Sequence, residues 1–266
     1  MRVSLASAFA ALVSILSVAD ANSQGISIAK VLENVRRQQH AADFRAEGRL
    51  VRVAEQGLRT AYRFTCKGKF FAATFKCLWQ ITDPASASVR LLIEAPDGGQ
   101  PRIRVAATDS KINELKPDQW GDSFLDSGLA YEDLVERQFS WREQILVKED
   151  KYGARTCFVV QSQPGPGEHS IYSLVTSWVD RDTYVPVYVE KTLRKSGIKK
   201  QFLYYGIQQS KGTWGARQVE VRVEGSSVRT LLIVTRGSGK ANLSRSDFDP
   251  GVLTSHTLGM ERRSPP

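Results

Sequence analysis

The sequence predicts an all-β domain of antiparallel strands with few helices. Three observations carry that reading. Short segments alternate apolar with polar side chains, the period of a strand with one wet face. Stretches bearing glycine, proline and aspartate separate them as turns. Only two stretches hold apolar residues at helical spacing, against about twelve that read as strands. With 266 residues, 41% hydrophobic and 24% charged, the chain has apolar material for a sizeable core, and one globular domain is the simplest organisation.

The start, MRVSLASAFAALVSILSVADANSQ, places Arg2 before an apolar run from Val3 to Val18, then the small-x-small pattern Ala19-Asp20-Ala21. This predicts a signal peptide over residues 1–21, cut after Ala21, and an exported, periplasmic product. The run is shorter than the ~20 apolar residues a membrane span needs. No cysteine follows the cut, so no lipid anchor is expected there. The domain is expected over residues 22–256 and a disordered tail over 257–266.

The first element after the cut is a helix. Ser27 is a suitable N-cap, and Ile28, Val31, Leu32 and Val35 form one apolar stripe while Lys30, Arg36 and Arg37 face away. A strand meander follows. FRAEGRLVRV puts Phe44, Ala46, Gly48 and Leu50 on one side, and LRTAYRFTCKG turns through Lys67-Gly68-Lys69 or just beyond it into FFAATFKCLWQI. The loops TDPASAS and APDGGQP bracket VRLLIEA, and RIRVAAT comes next. The meander breaks between Asp109 and Gln138, where a short helix is expected from Leu129 to Arg137 with Ser127 as its cap. Strands resume as EQILVKE, ARTCFVVQSQ, HSIYSLVTSWVD, VPVYVEKTL, IKKQFLYYGIQQ, RQVEVRVEG and VRTLLIVTRG.

The formal charge of +9 survives processing, because the removed segment carries one Arg and one Asp. It is spread along strands such as RLVRV and VEVRVEG, without aromatic interleaving or a basic helix. That argues against nucleic acid and for solvated strand faces, or a surface that meets anionic lipid. Of three cysteines, Cys66 shares a strand side with Tyr62 and Phe64, and Cys77 with Phe75 and Trp79, on what look like two arms of a hairpin. A Cys66–Cys77 bridge and two buried free thiols both fit that placement. Cys157, in ARTCFVV, reads as a small buried hydrophobe.

Catalytic patterns are missing. His40, His169 and His256 lie far apart with no Glu or Cys at ligand spacing, so neither a zinc site nor a Ser-His-Asp arrangement has local support. RGSGKA, Arg236 to Ala241, lacks the first glycine and the metal-binding hydroxyl of a phosphate loop and reads as a hairpin turn. GPGEHS fails the dinucleotide pattern equally. Glu132 and Asp133 are adjacent, so on a helix they point apart, and a charge role near a cap suits them better than an acid/base couple. No enzyme activity, metal or cofactor is expected.

The stretch VPVYVEKTLRKSGIKKQFLYYG, Val185 to Gly206, shows what remains to be explained. Each strand has an apolar face, and something must cover it: a second sheet in a sandwich, or, in a curled single sheet, the sheet itself, a helix or a ligand. The two helices are too small to fill a trough of that many strands. Its expected lining is Phe64, Phe75, Trp79, Val187, Val189, Phe202, Tyr204, Val219, Val221 and Val223. The segment from Gly121 to Gln138, with glycine hinges at Gly121 and Gly128, is the expected lid, its apolar side formed by Leu129, Tyr131, Leu134 and Val135.

Four stretches resemble the outer-membrane lipoprotein-sorting family, the broad LolA-like group. SGLAYEDL at Ser127 to Leu134 is similar to the family's Ser-Asp-Phe-Ser-Tyr-Glu-Asp-Leu signature, departing from it at Gly128 and Leu129. GARTC precedes a strand as in family members. SWVDRDTYVPVYVEKTLRKSGIKKQFLYYG matches its Trp-x-Asp, Tyr-x-Pro and strand-Gly-strand run. GTWGARQVEVRVEGSSVRTLLIV, followed by ANLSRSDFDPGVL, matches its closing hairpin and terminal Asp-Phe. The resemblance implies a curled, unclosed antiparallel half-barrel with helices in its mouth, a container for the acyl chains of lipoproteins or other lipids crossing the periplasm. Its implied partners are those chains, an inner-membrane transporter and an outer-membrane acceptor. A periplasmic lipid-sensing or regulatory domain of the same fold is the alternative; a hydrolase is disfavoured by the scarcity of histidine.

Overall fold

The computed structural model describes residues 26–82, 88–107 and 111–254. The expected signal peptide, its cleavage site and the tail from 257 lie outside them. Helix α1 (Ile28–His40) opens the described chain, with Ser27 Oγ accepting from the Lys30 amide at 3.3 Å. It runs to His40, almost a turn past Arg37, the last residue assigned to its outer face from the sequence. Val31, Leu32 and Val35 are buried against Phe139, Phe158, Val160 and Val179, while Glu33 holds Lys30 and Arg37 on the outer face at 2.9 and 2.6 Å.

The strands are β1 (Asp43–Val53), β2 (Arg59–Phe71), β3 (Thr74–Thr82), β4 (Ser88–Pro96), β5 (Arg102–Ala107) and β6 (Asn113–Glu114), then β7 (Glu143–Tyr152), β8 (Arg155–Gln163), β9 (Tyr172–Asp180), β10 (Pro186–Leu193), β11 (Lys199–Tyr205), β12 (Gln208–Ser210), β13 (Thr213–Gly215), β14 (Gln218–Val223) and β15 (Arg229–Gly239). Thirteen form one sheet in the order β6-β5-β4-β3-β2-β1-β15-β14-β11-β10-β9-β8-β7, while β12 and β13 pair as a separate ribbon. The pairing is antiparallel throughout. β6 and β7 do not pair with each other, so the sheet curls into a half-barrel without closing.

Both faces of this sheet carry apolar material. The concave face holds the largest core, from Leu50, Phe64, Trp79, Leu91, Ile93 and Ile103 across to Val175, Val189, Phe202 and Val221. On the convex face Leu78, Leu92 and Ala106 are covered by Leu243, Phe248 and Leu253 from the C-terminal segment. Asp247 anchors that segment to Lys67 at 2.9 Å.

Four local expectations are settled or corrected. Of the two places left open for the first turn the later one holds: Lys67-Gly68-Lys69 is not the turn, β2 continues to Phe71, and the chain reverses at Ala72, φ 54°. Gly68 is needed mid-strand because the Phe44 ring lies over it, 2.8 Å from where a Cβ would stand. Arg236 to Ala241 is no hairpin turn either, since β15 runs to Gly239 and pairs with the start of β1. IKKQFLYYGIQQ breaks at Gly206, φ 63°, and its end leaves the main sheet as β12. No α-helix spans Leu129 to Arg137; the segment forms short 3-10 turns at Pro117–Gly121, Phe124–Asp126, Tyr131–Leu134 and Gln138–Ser140.

The register of β1 on β15 shifts by one residue at Glu47/Gly48, leaving Thr235 as the extra residue of a bulge. A Cβ at Gly48 would overlap the Ile233 carbonyl oxygen and stand 2.7 Å from the Phe64 ring. Gly48→Ala is therefore expected to destabilise the fold by about 2 kcal/mol or more through backbone displacement, read as a lower urea midpoint.

Candidate functional site: a cavity in the trough

Alternation along the central strands sends one row of each into the trough. Register aligns Phe44 with Gly68, Ala46 with Cys66, and Gly48 with Phe64; across β15 and β14, Leu232 meets Val219. These rows do not meet a second sheet. The segment from Pro117 to Ser140 drops into one end of the trough and fills it, burying Trp120, Phe124, Leu129 and Val135 in the concave core. The Gly128 amide donates to Thr230 Oγ1 at 2.8 Å, and a Cβ on Gly128 would stand 3.2 Å from that oxygen.

Beyond this plug a cavity of about 680 Å³ remains, within the roughly 300–1,000 Å³ of small-ligand sites. Helix α1 borders it through Val35, Gln38 and Gln39, and the β12–β13 ribbon through Thr213 and Trp214. The helix is tied to the rim by the Gln39 amide donating to Glu136 O at 3.3 Å and by His40 Nε2 against Asp97 Oδ2 at 2.9 Å. Tyr204 donates to Glu136 Oε1 at 2.6 Å, and burial, then the neighbouring carboxylate, pushes its phenol well above the ordinary value.

Of the expected lining, Phe64, Phe75, Trp79, Phe202, Tyr204, Val219 and Val221 border the cavity. Val189 is buried in the same core but does not reach the cavity. Val187 is buried at an irregular step of β10 between Pro186 and Tyr188, which displaces it from the row. Val223 lies under Gly128, its methyl 3.6 Å from the position of an added Cβ. Of the expected lid, Leu129, Leu134 and Val135 form part of the cavity wall, while Tyr131 packs on Phe124 at 5.6 Å between ring centroids. Cys66 and Cys77 both border the cavity as free thiols, their sulfurs 3.4 Å apart. They sit diagonally, with Cys66 opposite Trp79 and Cys77 opposite Gly68; burial holds the Cys66 thiol well above its usual range.

The plug is fixed by charges that sequence reasoning did not assign. Asp133, fully buried, accepts from the Ala130 amide at 2.8 Å, Tyr172 OH at 2.5 Å, Lys191 Nζ at 3.1 Å and Lys200 Nζ at 2.5 Å. Lys191 and Lys200 face each other across β10 and β11 and are 4% and 5% exposed. Lys191 also lies 4.4 Å from the Phe202 ring centroid. Burial alone would raise the Asp133 carboxyl, but the two ammonium groups and the Ala130 amide outweigh it and hold it at about 2. Glu132 accepts from Ser170 Oγ at 2.6 Å and the Ile171 amide at 2.8 Å; burial leaves its carboxyl raised. Arg137, 3.7 Å from Glu132, reaches the carbonyls of Gly99 and His169. The available signal was period two: Lys191 falls on the row of Val189, and Lys200 on that of Phe202 and Tyr204.

Among the described residues no three or more His, Cys, Asp or Glu are grouped to hold a metal ion, and no helix is long and apolar enough to cross a membrane. A family model described only as "Uncharacterized protein" matches residues 108–255, more than half of the chain. The chain belongs to that family. The match takes in the plug, the buried charge cluster and β7 to β15. No curated protein matches the sequence. The fold is that of outer-membrane lipoprotein-sorting and LolA-superfamily structures. A domain described as an outer membrane lipoprotein-sorting protein, from Vibrio parahaemolyticus, superposes with a TM-score of 0.76 at 18% identity, covering 85% of this chain and 99% of that one. A DUF1329 family protein from Desulfovibrio piger gives 0.75 at 17%, covering 85% and 99%. A LolA superfamily protein from Nitrosomonas europaea gives 0.67 at 15%, covering 86% and 100%.

Asp133→Asn leaves two buried ammonium groups without their counter-charge and is expected to destabilise the protein by about 3–5 kcal/mol at pH 7, measured by urea unfolding. The sign follows from linkage. A carboxyl held at about 2, below its ordinary 3.8, contributes fully above roughly pH 4 and loses that contribution as pH falls through about 2. The gap between wild type and Asp133→Asn should therefore narrow between pH 4 and pH 2.

Proposed function

We propose that this protein is a periplasmic carrier that takes the acyl chains of lipoproteins or other lipids into the trough and moves them toward the outer membrane. It would receive them from an inner-membrane transporter and pass them to an outer-membrane acceptor. The observation that carries this reading is the cavity: it is floored by Phe64, Phe75, Trp79 and Phe202 and roofed on one side by a single helix. Each methylene buried there contributes about 0.8 kcal/mol, so a partly inserted chain is held firmly yet remains releasable. Holding and releasing a chain requires no covalent chemistry.

In this reading the segment from Pro117 to Ser140 is a fixed plug and α1 is the part that moves. The plug carries the buried Asp133 cluster, whereas α1 rests on four apolar side chains, Ile28, Val31, Leu32 and Val35, and a few rim hydrogen bonds. Hydrogen exchange should separate the two. On binding a fatty acid, amides of residues 28–40 should slow, while those of 131–137 remain protected with and without it.

A fluorescent fatty acid should bind saturably and be displaced by phospholipid with secondary structure unchanged. Val219→Trp, which fills the cavity from its wall, should weaken that binding about tenfold while the circular dichroism spectrum is preserved. If the folded protein never binds the probe, the carrier reading fails.

A further inference from the structure

The cavity border is asymmetric in charge. On the side of the plug and the β4–β5 loop, every bordering carboxylate is engaged within the protein. Asp97 meets His40, Asp133 meets two lysines and Tyr172, and Glu136 takes the Tyr204 hydroxyl. The opposite lip, where the β12–β13 ribbon meets the end of β15, is bordered by Arg45, Arg217 and Arg236. Arg45 and Arg236 touch this lip from strand positions whose side chains turn to the convex face, where they pair with Asp247 at 3.5 Å and Glu47 at 3.4 Å, so Arg217 is the one of the three on the cavity-facing row. Arg217 has no carboxylate within 4.0 Å among the described residues. Its Nε donates only to the amide oxygen of Gln208, at 3.5 Å.

Arg217 also stands at a particular place on the sheet. The cavity-facing row of β14 runs through Val221 and Val219, and the next position on it is Arg217. The ladder continues that far, because the Val234 amide donates to Arg217 O at 2.8 Å. Across from it, Gly206 leaves room for the arginine stem: a Cβ there would stand 3.0 Å from the Arg217 Cβ. An apolar row that ends in an uncompensated guanidinium at the mouth has the polarity of an amphiphile lying with its chain inward and an anion at the lip. Lys211 and Lys240, beside the ribbon turn, likewise have no carboxylate within 4.0 Å among the described residues, and a Cβ on Gly212 would stand 4.0 Å from Lys240 Cε.

We infer that this lip is a phosphate subsite, centred on Arg217 with Gln208, and that the cargo is a phosphate-bearing lipid whose chain occupies the cavity. This rests on the carrier reading and names the chemistry of the head group. The phosphate accepts charge-assisted hydrogen bonds from the Arg217 guanidinium, while the positive field of Lys211 and Lys240 beside the ribbon turn draws it to the mouth.

The test is displacement of N-phenyl-1-naphthylamine, an uncharged probe, from the full-length mature protein. The competitors are lysophosphatidylglycerol, uncharged monooleoylglycerol and glycerol phosphate. Lysophosphatidylglycerol should displace the probe about tenfold more tightly than monooleoylglycerol, with the gap shrinking as salt is raised. Arg217→Gln should reduce the gap to about threefold or less and leave monooleoylglycerol unchanged. Arg49→Gln, which removes an equal charge from an exposed strand position away from the cavity, should keep it. Equal displacement by both lipids, or a preference that survives Arg217→Gln, overturns the inference and leaves the carrier reading standing. Competition by glycerol phosphate as strong as by the lipid overturns it in favour of a site for free phosphate esters. If no lipid displaces the probe, the carrier reading and this inference fall together.

Discussion

The arrangement of the trough depends on one buried carboxylate. Asp133 draws two lysines from adjacent strands and a tyrosine from the next strand onto a single turn. None of these partners could be left behind in an apolar interior alone, because an unpaired buried ammonium is far costlier than an exposed one. Once Asp133 is in place, Leu129 and Val135 on either side of it are carried into the concave core. The plug then occupies one end of the half-barrel and leaves a cavity at the other. The position of the cavity is thus set by polar bonds, although its walls are apolar.

Much of this was legible locally. Ser27 with the stripe from Ile28 to Val35 defines α1, because a helix's cap and apolar spacing lie within one short window. Period-two alternation placed Phe64, Trp79, Phe202 and Val221 on the concave side, since each needs only its own strand's register. The illegible parts depend on partners distant in sequence. Gly68 looks like a turn until Phe44 is laid over it from the neighbouring strand. Leu129 to Arg137 looks helical because its apolar spacing suits a helix, but Glu132 and Asp133 are held inward by Ser170, Tyr172, Lys191 and Lys200, and those tethers override the spacing. The two lysines stood in plain view on apolar rows, but a lysine in a strand is ordinarily a solvated one.

The same contrast separates the two walls of the cavity. The plug wall uses its charges internally, so it presents an apolar surface with satisfied polar groups behind it. The ribbon wall is built from short strands, glycines and exposed arginines, with little apolar burial to hold it. The border of the cavity is thus divided into a wall whose ion pairs are completed within the protein and a wall whose cations are left open.

The two margins of the sheet have a mechanical consequence. In a closed barrel, strand number and stagger fix the circumference. Here β6 has two residues and carries Glu114, and β7 is interrupted by a register shift at Leu146/Lys148, both of which discourage another strand from adding on. With no hydrogen bonds joining these margins, the girth of the half-barrel is not set by a ladder. Small changes of twist spread over thirteen strands can widen or narrow the trough without breaking a backbone hydrogen bond, so its calibre is not locked by the fold.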